Sequence, residues 1–438
     1  MGNIKSQAMQ KKAKQFIPGM AQLLSKRPDM FSLGVWPGYY SKAQGSKVWD
    51  LDGNKYIDMS IGGIGANVLG YADTEVNEAV IKAVKMGSSC SLNSPYEVEL
   101  AEELCRLHPW AKMARFARSG GESMAIAVRI ARAHTGRDIV VICGYHGWHD
   151  WYLAANLGTK NALGEHLIPG LSPAGVPQAL KGTTLVFSYN DLASLAKVVK
   201  KNKGQIAAII MEPIRNVEPS PGFLKGVRKL ADKAGAVFIF DEISSGFRMN
   251  CGGAHLLYGV EPDMAVFSKA LGNGFPIAAI IGRSHVMGSA QKSFISSTMW
   301  TESIGPAAAL AVIRKFKKFK VQKHLMAMGR LVQEGWQKAG NKNGLALKVS
   351  GIYPLSHFVF DDTEHLVMKA FFIQEMLNKG FLASNLFYPM YAHKRADVSA
   401  YLKAVDQVFA RIRQLKDNGG LKASLKGEPS ASGFKRIT

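Results

Sequence analysis

The sequence predicts an α/β fold, with a large domain on a mostly parallel central sheet and a smaller α+β domain after it. Three observations carry that prediction. From residue 113 onward, short apolar runs alternate with longer amphipathic stretches. Strands apolar on both faces belong to parallel sheets covered by helices on either side. After residue 305 the alternation gives way to long helical stretches with brief strand-like pieces between them. The polar residues of chemical interest, Tyr145, His146, Glu212, Asp241 and Lys269, all stand where an apolar run ends. Ligands bind at those ends in open parallel sheets.

Residues 1–60 read as a mixed N-terminal segment. Within it VWDLDGNKYIDMS, 48–60, alternates on both sides of Asp52-Gly53-Asn54, the pattern of two short strands joined by a turn. Amphipathic helices are expected over 75–86 and 95–107. Residues 61–305 form the large domain. Its strands are expected at 138–144, 184–190, 206–213, 236–242 and 263–269, and its helices at 122–133, 192–200 and 223–234. A long helix over 306–341 leads into the small domain, 306–416, with strands at 346–349 and 357–360 and helices at 364–379 and 396–414. The tail, 417–438, is rich in Gly, Ser and Lys and reads as flexible.

Composition bounds the function. The chain has 438 residues, 47% of them apolar, as in ordinary globular proteins. No window approaches the roughly 18 uninterrupted apolar residues of a membrane helix. The basic start MGNIKSQAMQKKAKQF has no apolar stretch of a secretion signal. Gly2 followed by Ser6 is a loose match to a myristoylation pattern, with nothing else pointing to a membrane. Cys90, Cys105, Cys143 and Cys251 are widely spaced and form no CxxC, so they read as reduced thiols of a cytoplasmic enzyme. The formal charge of +22 admits a nucleic-acid or anionic-surface partner. The runs KVVKKNK and RKFKKFK, however, place apolar residues between the charges at helical spacing, so solvated helix faces are expected instead. The same field attracts anionic small molecules.

The most informative stretch is PDMAVFSKALGNGFPIAAI, 262–280. Lys269 follows a buried-type strand and precedes a Gly-rich segment. A lysine there is usually a solvated strand end, but a desolvated one facing a cleft forms Schiff bases with carbonyl compounds. Asp241 ends the strand of VFIFDEISSGFR, 237–248. Paired with Arg248 it is structural; opposite a pyridine nitrogen it keeps that nitrogen protonated. Ser119-Gly120-Gly121 opens a helix, where free N–H groups make a phosphate cradle, though a plain cap has the same pattern. A dinucleotide fingerprint fits poorly, because Gly63-Ile64-Gly65 lacks the third glycine. Tyr145 and His146, in GYHGWHD, offer an aromatic ring to stack on a flat cofactor. His146, His149 and Asp150 have no further ligands at zinc spacing, so no metal is expected.

Together SGGES, YHG, DEISSGFR, FSKALGNGFP and TESIGP, in this order, resemble the class III aminotransferases among the fold-type-I pyridoxal-phosphate (PLP) enzymes, and most of all the group similar to glutamate-1-semialdehyde aminomutase. The resemblance implies Lys269 as the Schiff-base lysine and Asp241 as the pyridinium partner. It implies Ile243 on one ring face, Tyr145 on the other, and Ser119, Gly120 and Gly121 at the phosphate. His146 and Glu212 stand among the expected cofactor-binding residues. Thr301, in TESIGP, corresponds to a threonine that reaches the phosphate of the neighbouring subunit, which implies a homodimer with shared sites.

The chain also departs from that group. Gly121 stands where Thr or Ser is frequent, and GVWPGYY, 34–40, has no arginine for a substrate carboxylate. No acidic residue occurs in NLFYPMYAH, 385–393. The expected substrate pocket is therefore aromatic, from Trp36, Tyr39 or Tyr40, Trp300 and Tyr388. An aminotransferase acting between an amine and an aldehyde or ketone is expected, with an intramolecular aminomutase as the alternative. A basic surface-binding protein that keeps the fold without chemistry is the remaining one.

Overall fold

The structure is a computed structural model that describes residues 2–159, 161–164, 166, 170–214 and 216–433. It divides into two compact units, Met1–Asp73 with Lys323–Thr438, and Thr74–Gln322. The expected N-terminal segment and tail thus both belong to the smaller unit, and its boundaries differ from breaks at 60, 305 and 416.

The smaller unit starts with helix α1 (Ile4–Phe16), which the basic N-terminal sequence did not reveal. Strands β1 (Tyr40–Gln44), β2 (Lys47–Asp50) and β3 (Lys55–Met59) form an antiparallel meander. Asp50 makes the expected turn by accepting the N–H groups of Asp52 and Asn54 at 2.9 and 2.8 Å.

The larger unit contains a seven-stranded sheet. Its strands are β4 (Met113–Ala117), β5 (Ile139–Cys143), β6 (Thr184–Val186), β7 (Ile206–Met211), β8 (Val237–Asp241), β9 (Met264–Phe267) and β10 (Ala278–Gly282). Their spatial order is β4-β10-β9-β8-β7-β5-β6, with β10 antiparallel to both neighbours and the pairs from β9 to β6 parallel. Every residue of β7, β8, β9 and β10 is buried, as runs apolar on both faces require. Helices α2 (Thr74–Lys85), α3 (Pro95–Leu107) and α4 (Gly120–Thr135) lie in this unit. Met124, Ala127, Ile130 and Ala131 of α4 are fully buried in the core that also takes in Val140, Ile210 and Ile239. A buried Met or Ile contributes about 1.5–3 kcal/mol, so α4 is anchored and its first turn held in place.

The single long helix expected over 306–341 is two helices, Ile304–Phe319 and Val321–Lys342. They break at Lys320, which takes φ +51° with no Gly or Pro to signal it. The smaller unit resumes with β11 (Leu347–Ser350), β12 (Ser356–Phe360), β13 (Phe381–Ala383) and β14 (Leu386–Phe387). Strand β13 pairs in parallel with β3, Phe381 opposite Ile57, which ties the N-terminal segment to the C-terminal one. The tail, expected to be flexible, packs as far as it is described. Leu421 and Ser430 are 2% and 3% exposed, and Gln374 accepts the Lys426 N–H at 2.7 Å. Residues 434–438 of that expectation lie outside the described residues.

Candidate active site

Four segments of the larger unit converge at the carboxyl ends of the parallel strands. Asp241 is the last residue of β8 and lies opposite Val266 of β9, three positions before Lys269. Its carboxylate is nearly excluded from solvent, with the side chain 3% exposed. One oxygen accepts the Ile243 N–H at 3.0 Å, and the other lies 2.7 Å from Nδ1 of buried His146. His146 Nε2 is buried without a hydrogen-bond partner, so the proton sits best on Nδ1, donating to Asp241. The carboxylate is thereby aimed by two donors in a dry place.

Lys269 leaves β9 with φ +37°. That left-handed conformation costs a non-glycine residue about 1–2 kcal/mol. Its Nζ donates to Ser244 Oγ at 2.7 Å. Ser244 lies three residues after Asp241, so this bond brings the amine to the segment that carries the carboxylate. The sequence reading missed Ser244, because a serine in a turn has no signature beyond its place in DEISSGFR. The same turn is fixed from behind by Glu242, whose buried carboxylate accepts from the His255 N–H at 2.9 Å, His255 Nδ1 at 2.7 Å and Ser245 Oγ at 2.6 Å. Burial pushes the Glu242 carboxyl up, but these donors outweigh it and hold it below the usual range. His255 Nε2 accepts from Trp110 Nε1 at 3.0 Å, so Nδ1 is the nitrogen that donates to Glu242. His108, stacked on His255, is pushed down to about 4, by burial first and by His255 second.

The first turn of α4 closes the site. A side chain at Gly120 would begin 2.9 Å from Ile243 Cδ1. Gly147 of the YHG turn takes φ +107°, and a Cβ there would sit 2.8 Å from the Gly121 Cα. Glycine is therefore required at 147. His149 Nδ1 lies 3.2 Å from where a Gly121 Cβ would stand, and burial lowers the ring's basicity. Ser119 caps the helix, and its N–H and that of Arg118 reach Glu122 Oε2 at 3.3 and 2.9 Å.

The remaining expected residues fall in different places. Tyr145 is partly buried, edge-on to Tyr152 at 5.8 Å. Glu212 lines a cavity of about 300 Å³ with Cys143, Gly144, His166 and Tyr189, a lining that includes neither Lys269 nor Asp241. Burial, then Glu212, pushes the Cys143 thiol up to about 12. Trp300 Nε1 donates to Glu122 Oε1 at 3.0 Å, which pins it beside the first turn of α4. Thr301 is exposed and donates to the Thr298 carbonyl at 2.9 Å. Arg118 is committed to Glu302 at 2.8 Å and to the Trp300 carbonyl at 2.7 Å. Arg248 is 1% exposed and donates through Nε to the Ser244 carbonyl at 2.5 Å. In the smaller unit, Trp36 is 7% exposed with its ring stacked on Phe31 at 4.0 Å. That contact makes it a core residue. Tyr39 donates to the Met20 carbonyl at 3.4 Å, and Tyr388 packs on the same unit's core.

These residues fit pyridoxal phosphate. The glycine-lined first turn of α4 suits a phosphate, the buried carboxylate of Asp241 suits a protonated ring nitrogen, and the Lys269 amine suits the aldehyde. Comparison with known proteins agrees. The sequence profile of the family described as Aminotransferase class-III matches residues 34–407. A 3-aminobutyryl-CoA aminotransferase of Cloacimonas acidaminovorans is 31% identical over 426 residues, covering 94% of this chain and 98% of the relative. A glutamate-1-semialdehyde 2,1-aminomutase of Syntrophobacter fumaroxidans is 33% identical over 436 residues, with 94% and 98% covered. Among solved structures, the FumI protein of Sphingopyxis sp. MTA144, in a PLP form, superposes with a TM-score of 0.86 at 25% identity over 98% of this chain and 99% of that one. An omega-transaminase from Sphaerobacter thermophilus shares the fold, with a TM-score of 0.81 at 24% identity over 93% and 98%.

Proposed function

Because the chain belongs to the class III aminotransferases and works with pyridoxal phosphate, we propose that Lys269 binds the cofactor's aldehyde and moves the proton in the reaction, with Asp241 holding the ring nitrogen protonated. The observation that carries this reading is the Lys269 amine held 2.7 Å from Ser244, on the turn that leaves the buried Asp241. Gly120 and Gly121 hold the phosphate through backbone N–H groups, with Ser119 at the cap, and Ile243 and Tyr145 flank the ring. His146 orients Asp241. Glu212 acts one step away, by accepting the Tyr145 N–H at 3.4 Å. When bound, the cofactor supplies an electron sink for the pair left on the substrate carbon. Lys269 Nζ takes the proton from that carbon and returns it elsewhere, within reach because its backbone is fixed.

The substrates in this reading are an amine donor and an aldehyde or ketone whose carbonyl is remote from a carboxylate. The two arginines nearest the site in sequence are engaged elsewhere, Arg118 with Glu302 and Arg248 inside its own turn. A substrate carboxylate would lack the bidentate partner that recognises it best. The 33% identity to an aminomutase favours the intramolecular reaction as a second reading. We place the enzyme in the cytoplasm on its four free cysteines. Among the described residues no helix is long and apolar enough to cross a membrane. We read it as a homodimer in which the exposed Thr301 serves the partner's phosphate.

A screen of amine donors and carbonyl acceptors, followed at the cofactor's absorbance, tests the substrate class. Turnover should need a separate acceptor and be poor with glutamate-1-semialdehyde. Efficient conversion of the semialdehyde to 5-aminolevulinate with no added acceptor would promote the aminomutase instead.

A further inference from the structure

We propose that Ser244 is a positioning residue that accepts from the unattached Lys269 amine, favours its ammonium form and so opposes its covalent attachment to the cofactor. This rests on the reading of Lys269 as the attachment lysine. Ser244 Oγ accepts from Lys269 Nζ at 2.7 Å. Its backbone is fixed at the same time, since its carbonyl accepts from Arg248 Nε at 2.5 Å. Arg248 is itself 1% exposed, and Gly246 N–H closes the turn on the Glu242 carbonyl at 2.8 Å. The hydroxyl therefore stands on a rigid turn, opposite a lysine whose own backbone is held at φ +37°. Neither partner of this bond can drift far.

The chemistry gives the contact a direction. To attach, the Lys269 ammonium must first lose a proton to solvent. Its lone pair then forms the C=N bond with the aldehyde carbon, and the carbonyl oxygen leaves as water with the two remaining amine protons. A hydroxyl that accepts an N–H stabilises the ammonium, the one state that cannot attack. It therefore favours release of Lys269 and steadies the ammonium that forms once Nζ has taken the substrate proton. Titratable groups on the surrounding elements include Asp241 and Glu242 at the end of β8, His146 after β5, Glu212 after β7, Arg118 and Glu122 at the first turn of α4, Arg248 in the Ser244 turn, and Glu302 before the Ile304–Phe319 helix. Asp241 is bonded to His146 and Ile243, Glu242 to His255 and Ser245, and Glu302 to Arg118 and the Gly305 N–H. None of these bonds depends on the Ser244 hydroxyl, so its removal changes the amine's environment and leaves them in place.

The test compares wild type with Ser244→Ala and Ser244→Thr. Competitive acetylation of the apoprotein across pH, read by mass spectrometry on the peptide FSKALGNG, titrates the Lys269 amine. In Ser244→Ala the labelling rate of Lys269 near neutral pH should rise roughly three- to tenfold, the size of one hydrogen bond to a charged group. Its PLP dissociation constant should fall by a similar factor. Ser244→Thr should behave like wild type. A labelling profile unchanged in Ser244→Ala, or weaker PLP binding by it, overturns the proposal, since a merely structural serine would loosen the cofactor when removed. If Ser244→Ala does not fold, Ser244→Cys, a poorer acceptor, should shift both readouts in the same direction by less, and no shift there is equally decisive. Failure of the underlying reading is distinct: borohydride reduction would then fix the cofactor on another lysine, whatever the acetylation profile of Lys269.

Discussion

Replacing Asp241 by Asn removes one charge and almost no volume. The Asn oxygen can still accept the Ile243 N–H, now made at 3.0 Å. Its amide NH2 would replace the oxygen that faces His146 Nδ1 at 2.7 Å, setting donor against donor. His146 must then move its proton to Nε2, which is buried with no partner. Burying an unsatisfied donor costs about 1–3 kcal/mol of stability. The cost to the reaction is larger. Opposite charges roughly 4 Å apart interact by about 4 kcal/mol at the effective dielectric of a protein site. At about 1.36 kcal/mol per decade, that is a loss of roughly 10³ in rate. The assay is a single turnover with a reactive amine, followed by cofactor absorbance at saturating PLP, so that weaker binding does not masquerade as slower chemistry. A variant within about tenfold of wild type would refute the role of Asp241 as the charge that keeps the ring nitrogen protonated. It would leave it as a structural partner of His146.

Two further outcomes follow from the same geometry. Mixing Lys269→Ala with Thr301→Ala subunits should restore activity on exchange, because one site of each heterodimer would then carry neither defect; no recovery at full exchange contradicts the trans role of Thr301. Acid should destabilise the fold through His108, which is neutral and held near 4 in the native state against about 6.5 unfolded. Its folded value is depressed, so the unfolded chain binds the extra proton. The contribution is complete above pH ~6.5, erodes as pH falls toward 4, and reaches about 3 kcal/mol lost there. Urea midpoints across that range should fall less steeply for His108→Gln than for wild type, and parallel profiles would contradict it.

Much of this site can be read from the sequence, and for a physical reason. A strand buried on both faces tolerates few polar residues, so Asp241 after VFIF and Lys269 after MAVF stand out. The glycine at 120 is legible too as part of SGGES, and the structure shows its reason, since a Cβ there would begin 2.9 Å from Ile243 Cδ1. What the sequence hides is partnership over long separations. Nothing local in KYIDM announces that it pairs with Phe381–Ala383, so the N-terminal segment reads as a separate one. Trp36 reads as a pocket wall but is a core residue stacked on Phe31. Nor does the sequence show that Arg118, beside the SGGES turn, is consumed by Glu302 and the Trp300 carbonyl. Ser244 is invisible because hydroxyls in turns are common and only the geometry of Lys269 gives this one a role.

The central claim is that Lys269 carries the cofactor, and one measurement addresses it without intermediaries. The holoenzyme is reduced with borohydride, digested, and mapped by mass spectrometry for the pyridoxyl group. The account predicts one modified peptide, containing FSKALGNG, with the mass added at Lys269. A pyridoxyl group on any other of the chain's lysines, or none on protein reconstituted with PLP, would contradict it.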